Sequence, residues 1–232
     1  MKSNNVEQQQ NEATEEGNID LLYKIIKDDQ SILESIDSKQ FVETPLHIAA
    51  AMGRIQFANE IMRLKPSFAR KLNEQGFSPI HLAMLNSRKW MVFNFVDMKK
   101  QLVTDQGREG LTPLHLASEI GDIEFLAKFI YACPESIECL TARNETALHI
   151  AIKNQQFEAL QFLVGWLVRN EERGVTELEN KILNQKDVDG NTILHISAQS
   201  SDPRTVRLLV KDWDKFEGKE LRQQNNIRHG NQ

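Results

Sequence analysis

Thr112-Pro113-Leu114-His115-Leu116-Ala117 reads as the opening turn of a helix. The first backbone N–H groups of a helix have no partner inside it, and the Thr112 hydroxyl is placed to cap them. Pro113 suits the first helical position, where a missing N–H is no loss and φ is already helical. His115 falls at the third position, from which a polar side chain reaches back to the cap residue. Leu114 and Ala117 point inward, and Ala117 is small enough for a second helix to come close.

The stretch recurs. Thr44-Pro45-Leu46-His47-Ile48-Ala49 and Ser78-Pro79-Ile80-His81-Leu82-Ala83 lie upstream; Thr146-Ala147-Leu148-His149-Ile150-Ala151 and Thr192-Ile193-Leu194-His195-Ile196-Ser197 lie downstream. His47, His81, His115 and His149 are 34 residues apart, and His195 follows after 46. Five of the chain's six histidines belong to this motif. Thr-Pro-Leu-His-x-Ala at this period resembles the ankyrin repeat. The resemblance implies an all-α fold, an ankyrin-repeat solenoid of stacked helix-turn-helix units with short hairpin-like turns, each unit touching mainly its neighbours.

Composition narrows the function classes. The 232 residues are 40% hydrophobic and 26% charged, ordinary for a folded protein, and the net charge of −5 argues against nucleic acid as a direct ligand. No window of about 18 uncharged apolar residues is present, so no direct membrane insertion by this chain is expected. Met1 to Glu16 is polar and lacks the apolar core of a signal peptide. Two cysteines, Cys133 and Cys139, make no disulfide framework, which points to a reducing, cytoplasmic compartment.

Along the chain, residues 1–11 read as a disordered N-terminus and 12–212 as the repeat domain, about six repeats with the first and last atypical. Ala13 to Ile26 is a degraded first repeat, suited to the solvated end of a stack. Pro66 stops the second helix of repeat two, and Pro134 opens the loop before repeat five. The second helix of repeat three, Trp90 to Val96, is unusually rich in large apolar residues. A charged insertion near 170–181 accounts for the 46-residue gap. Residues 213–232 are polar and read as a disordered tail. No C-terminal cap is visible, so the last repeat's inner face is expected to be partly uncovered, as in a truncated end of a longer protein.

No catalytic, cofactor-binding or metal-binding residues are expected. Successive first helices should lie roughly 10 Å apart, one helix diameter, whereas zinc ligands stand about 2 Å from a common ion. The histidines therefore read as structural, together with their caps Thr44, Thr112, Thr146 and Thr192. Asn144-Glu145-Thr146 matches a glycosylation pattern, but Thr146 is needed as a cap. Asp187 and Asp189 resemble part of a calcium loop whose later Gly and Glu are missing. Phosphate-binding glycine motifs, a nucleophile elbow and a nucleophile–base pair are all absent, so the chain reads as a non-enzyme.

A binding surface remains. Between the alanines and the glycine of each first helix lie two positions that the fold leaves open. Among them are Met52, Leu85 with Asn86, Glu119 with Ile120, and Lys153 with Asn154. In a regular stack these line the concave face, with Met52, Leu85 and Ile120 as an apolar stripe for a partner helix or loop. Phe77 and Leu111 follow a glycine at the turn tips and are candidate contact anchors.

A narrower resemblance rests on Gly107-Arg108-Glu109-Gly110-Leu111-Thr112-Pro113-Leu114-His115-Leu116-Ala117-Ser118, on Ile182 to Ile196 (ILNQKDVDGNTILHI) and on the prolines at 66 and 134. These are similar to plant ankyrin-repeat proteins with a C-terminal PGG domain, of the accelerated-cell-death and "bian da" type. The resemblance implies protein partners, a role in innate immunity and defence signalling, and a place on the cytosolic face of the plasma membrane when followed by transmembrane helices. Assembly of an oligomeric membrane protein is the alternative it implies, with self-association through the uncovered end after Val210.

Overall fold

The computed structural model describes residues 12–171, 176–200 and 202–210. The expected disordered segments 1–11 and 213–232 lie outside the described residues, as does Gly174 of the insertion. The chain divides into two units: Met1–Leu116 with Ala127–Ser136, and Ala117–Leu126 with Ile137–Gln232.

The first unit is built from helix pairs. A helical segment at 12–16 precedes α1 (Ile19–Asp28) and the short α2 (Ile32–Asp37); the pairs that follow are α3 (Pro45–Met52) and α4 (Ile55–Leu64), and α5 (Pro79–Leu85) and α6 (Lys89–Met98). The first member of a pair is short and almost entirely apolar; the second shows one buried stripe at helical spacing, as in α4 with Phe57, Ala58, Ile61 and Met62. α3 packs on both α4 and α5, and α5 on α6. Leu46, Phe57, Ile61, Ile80, Met91 and Phe95 are fully buried between them. Pro66 ends the α-helical ladder, but the chain continues as a 3-10 turn, Pro66–Arg70, and repeats this at Lys100–Thr104, burying Phe68 and Leu102.

Two further helices, α7 (Pro113–Ile120) and α8 (Ile123–Ala132), each contribute residues to both units. The second unit continues with α9 (Ala147–Lys153), α10 (Phe157–Glu171), α11 (Thr176–Leu183) and α12 (Ile193–Gln199), followed by a helical segment at 203–210. α9 packs on α10 and α12. Part of the charged insertion is helical: α11 packs on α10 and buries Ile182 and Leu183.

The turn tips repeat one closed loop. Asn73 N–H donates to the Phe77 carbonyl (2.9 Å), Gly107 to Leu111 (2.8 Å), Thr141 to Glu145 (3.0 Å) and Asp187 to Asn191 (2.9 Å). Each loop holds a residue at positive φ, Gly76, Gly110, Asn144 and Gly190, and the loop of Gly110 holds a second, Glu109 (φ 58°). The helix at 12–16, α3, α5, α7 and α9 also end on left-handed residues, whereas α12 ends on Ser200 at φ −72°. Gly17, Gly53 and Gly121 pay nothing for this, whereas Ser87 (φ 56°) and Gln155 (φ 58°) hold the same conformation with a side chain.

Candidate functional site

The motif histidines are buried braces. In His47, Nδ1 accepts from the Thr44 N–H (3.1 Å) and lies 2.8 Å from its hydroxyl, and Nε2 donates to the Phe77 carbonyl (3.0 Å). His81 lies 2.7 Å from the Ser78 hydroxyl and donates to the Leu111 carbonyl (3.0 Å). In the second unit His149 repeats this with Thr146 (2.8 Å) and the Asn191 carbonyl (3.3 Å). His115 meets Thr112, and His195 meets Thr192, both at 2.8 Å. Each ring thus ties its own cap, and His47, His81 and His149 also tie the tip that precedes the next first helix. Burial pushes His47 and His81 down to about 4, and lowers His149. They are neutral at pH 7, with the proton on Nε2. Among the described residues, no His, Cys, Asp and Glu cluster is arranged to hold a metal ion.

The open positions on the first helices behave unlike the rest of those helices. Met52 is 45% exposed, Leu85 49% and Ile120 46%, while Leu46, Ala49, Ile80, Ala83, Leu114 and Ala117 are buried. Met52 and Leu85 belong to the first unit and Ile120 to the second. Asn86 and Asn154 are exposed, but each side-chain amide donates to its own helix, at Leu82 (2.8 Å) and Ile150 (2.9 Å).

Glu119 is half-buried, and its carbonyl accepts from the Gln156 side chain (3.1 Å). The same latch recurs in the first unit, where Arg54 Nε donates to the Glu15 carbonyl and Arg88 Nε to the Ala51 carbonyl, both at 2.8 Å. The residue after each of the left-handed caps Gly53, Ser87 and Gln155 therefore reaches back to the end of the preceding first helix.

Lys153 has a structural partner set that spacing does not reveal. Its ammonium lies 2.5 Å from Glu145 Oε1 and 3.2 Å from Asp187 Oδ2, and both carboxylates are buried. Thr141 Oγ1 donates to Glu145 (3.2 Å), and Asp187 Oδ1 accepts from the N–H groups of Asp189 and Asn191. Burial raises Asp187, but the Asn191 N–H and Lys153 outweigh it and hold the carboxyl low. Burial likewise lowers Lys153, and its two carboxylate partners outweigh that and hold it high.

The tip residues Phe77 and Leu111 are half-buried. The Phe77 ring sits 6.4 Å from the His81 ring, and both tips offer their carbonyls to a histidine. Cys133 is buried and Cys139 half-buried, and neither is in a disulfide.

One exposed feature was not singled out from spacing. Trp90, on α6, is 72% exposed, more than any other large apolar side chain described. The residues of α6 are apolar around most of its circumference, so composition signals a surplus but not which ring faces out. In the second unit, Ala198, Ser200, Pro203, Val206, Arg207 and Val210 line an open groove of about 530 Å³ beside the last described helix.

Comparison with known proteins agrees with the repeat architecture. A family model described as "Ankyrin repeats (3 copies)" matches residues 91–171 and 144–225. The "Ankyrin repeat-containing protein BDA1" of Arabidopsis thaliana is 44% identical over 199 residues, covering 86% of this chain and 46% of that protein. The chain thus spans about half the length of this curated relative. A chain of the solved complex between predatory endopeptidase Bd0816 and immunity protein Bd3460 of Bdellovibrio bacteriovorus superposes with a TM-score of 0.63 at 19% identity. The superposition covers 88% of this chain and 97% of that one, and at such identity it speaks for the fold alone. With the period, the histidine braces and the matched family model in agreement, the chain belongs to the ankyrin-repeat family.

Proposed function

We propose that this chain is a non-catalytic protein–protein interaction module of plant defence signalling, contacting its partners through the ends of its first helices. Ankyrin repeats are interaction modules, and the coarse function follows from the family. The observation that carries the finer reading is the recurrence of one half-exposed apolar residue, Met52, Leu85 and Ile120, at the end of three consecutive first helices that are otherwise buried. Exposed apolar side chains held on rigid helices are ready anchors for a partner. The defence setting is supported by the resemblance to the accelerated-cell-death and "bian da" type and by 44% identity to the Arabidopsis protein.

Proximity labelling in plant leaves tests it, comparing the wild-type chain with Met52→Asp/Leu85→Asp and with Ile120→Asp. All three sites are exposed, so the variants should fold. The expected result is loss of a shared set of labelled proteins; an unchanged set overturns the reading.

A second reading is favoured by length. Because the chain covers 46% of its Arabidopsis relative, it can be the cytosolic assembly domain of a longer, membrane-anchored protein. Among the described residues no helix is long and apolar enough to cross a membrane.

A further inference from the structure

His195 repeats only half of the brace that other motif histidines make. Its Nδ1 accepts from the Thr192 N–H (3.4 Å) and lies 2.8 Å from the Thr192 hydroxyl, which leaves Nε2 as the donor. In His47, His81 and His149 that donor meets a tip carbonyl and the ring is buried. The His195 ring is exposed, and among the described residues no carbonyl meets its Nε2.

The groove beside it is formed by positions that the fold covers elsewhere. Ala198, Val206 and Val210 stand three, 11 and 15 residues after His195. At the same distances from His81 stand Met84, Val92 and Val96, and from His149 stand Ile152, Leu160 and Val164, all of them buried. Val210 is 42% exposed, Ala198 is exposed and Val206 half-buried. An apolar groove next to an unused N–H donor calls for a turn that offers a carbonyl together with an apolar side chain.

Residues 211–232 lie outside the described residues, but their sequence carries the parts of such a turn. His229, the sixth histidine, stands 34 residues after His195, the interval that separates the first four motif histidines. Asn226 falls at the cap position, where asparagine is among the preferred residues. The carbonyls that His47 and His81 bind belong to the residue 30 positions on, Phe77 and Leu111; 30 positions after His195 is Asn225. Buried Phe68 and Leu102 stand 21 positions after His47 and His81; 21 after His195 is Phe216. The reach also matches, since 15 residues link Val210 to Asn225 as they link Val96 to Leu111. Arg228 and Asn231 stand where the motif has Leu and Ala, so the likeness ends with the turn and its cap.

We propose that residues 211–226 of this chain occupy the groove at Ala198, Val206 and Val210, with the Asn225 carbonyl accepting from His195 Nε2. The proposal goes beyond the interaction reading and draws on none of Met52, Leu85 and Ile120. It gives the end after Val210 to the chain itself in place of self-association.

Hydrogen exchange of the full chain, read by mass spectrometry, tests it. In the wild type the amides of 221–226 should exchange at least about tenfold more slowly than the same sequence as a free peptide. His195→Glu isolates the bond, because a glutamate at the third helical position still reaches back to the cap N–H but has no proton to give a carbonyl. It should bring 221–226 to the free-peptide rate and leave α12 unchanged. Val210→Asp leaves the cap untouched and sets a charge under the segment, so it should release 221–226 in the same way. Wild-type exchange at the free-peptide rate overturns the proposal, and so does protection that both variants leave intact. Protection that appears only as chain concentration rises assigns the groove to a second copy and overturns it as well.

Discussion

His47 donates from Nε2 to the Phe77 carbonyl at 3.0 Å, and through Nδ1 the same ring accepts from its own cap, Thr44. Both nitrogens are used in a way that only the neutral ring allows. A second proton would land on Nδ1, facing the Thr44 N–H.

Stability should therefore fall as the pH drops. His47 and His81 titrate near 4 in the folded chain against about 6.5 unfolded. Their contribution is fully present above 6.5 and is lost as the pH falls toward 4, because the unfolded chain binds the extra protons. By pH 5 the loss is about 2 kcal/mol for each of the two rings. Urea midpoints at pH 7, 6 and 5 check this, and His81→Leu should flatten the slope while lowering the midpoint. Asp37 and Asp187, held low in the folded chain, act in a separate window: their contribution is present above about 4 and is lost below it.

Ser87→Gly and Gln155→Gly should each stabilise the chain, by about 0.5–1 kcal/mol, because a left-handed residue sheds its Cβ penalty. Gly53→Ala should do the reverse by about 1–2 kcal/mol, since its Cβ would also meet Arg88 Cδ at 3.2 Å. Thermal melts of the three variants give the ordering.

Lys153→Ala should destabilise by about 2–3 kcal/mol, leaving the buried Glu145 and Asp187 without their cation, and Lys153→Arg should recover most of it. A surface lysine used only for binding would change neither melt. Denaturation of the two variants at pH 7 separates the roles.

Phe77→Ala should cost about 1–2 kcal/mol, because the half-buried ring packs beside His81 at the tip. Its melting curve is the measurement. An unchanged curve would return Phe77 to the role of a projecting anchor.

The fold was legible because the period is carried by residues with fixed local chemistry. Proline at the first helical position and histidine at the third mark where α3, α5 and α7 begin. The left-handed caps were legible only where glycine stands; Ser87 and Gln155 conceal theirs, since the packing of the next helix enforces a conformation the side chain disfavours. The bonding of Lys153 was hidden for another reason: Asp187 is 34 residues away, and no local pattern links them. Trp90 was hidden because α6 has more apolar residues than one buried stripe can hold, and the choice of which faces out is made by its neighbours. The exposure of Met52, Leu85 and Ile120 agrees with the reading of these positions as open, while their use by a partner is a matter for the labelling experiment.

The backbone latches have an evolutionary consequence. Arg54, Arg88 and Gln156 grip carbonyl oxygens, and every amino acid supplies one. The gripped residues are Glu15, Ala51 and Glu119, an acid, a methyl group and an acid again, and the grip is the same. A lineage can therefore rewrite the side chains beside those carbonyls, and with them the choice of partner, without retuning the joint that holds one repeat to the next.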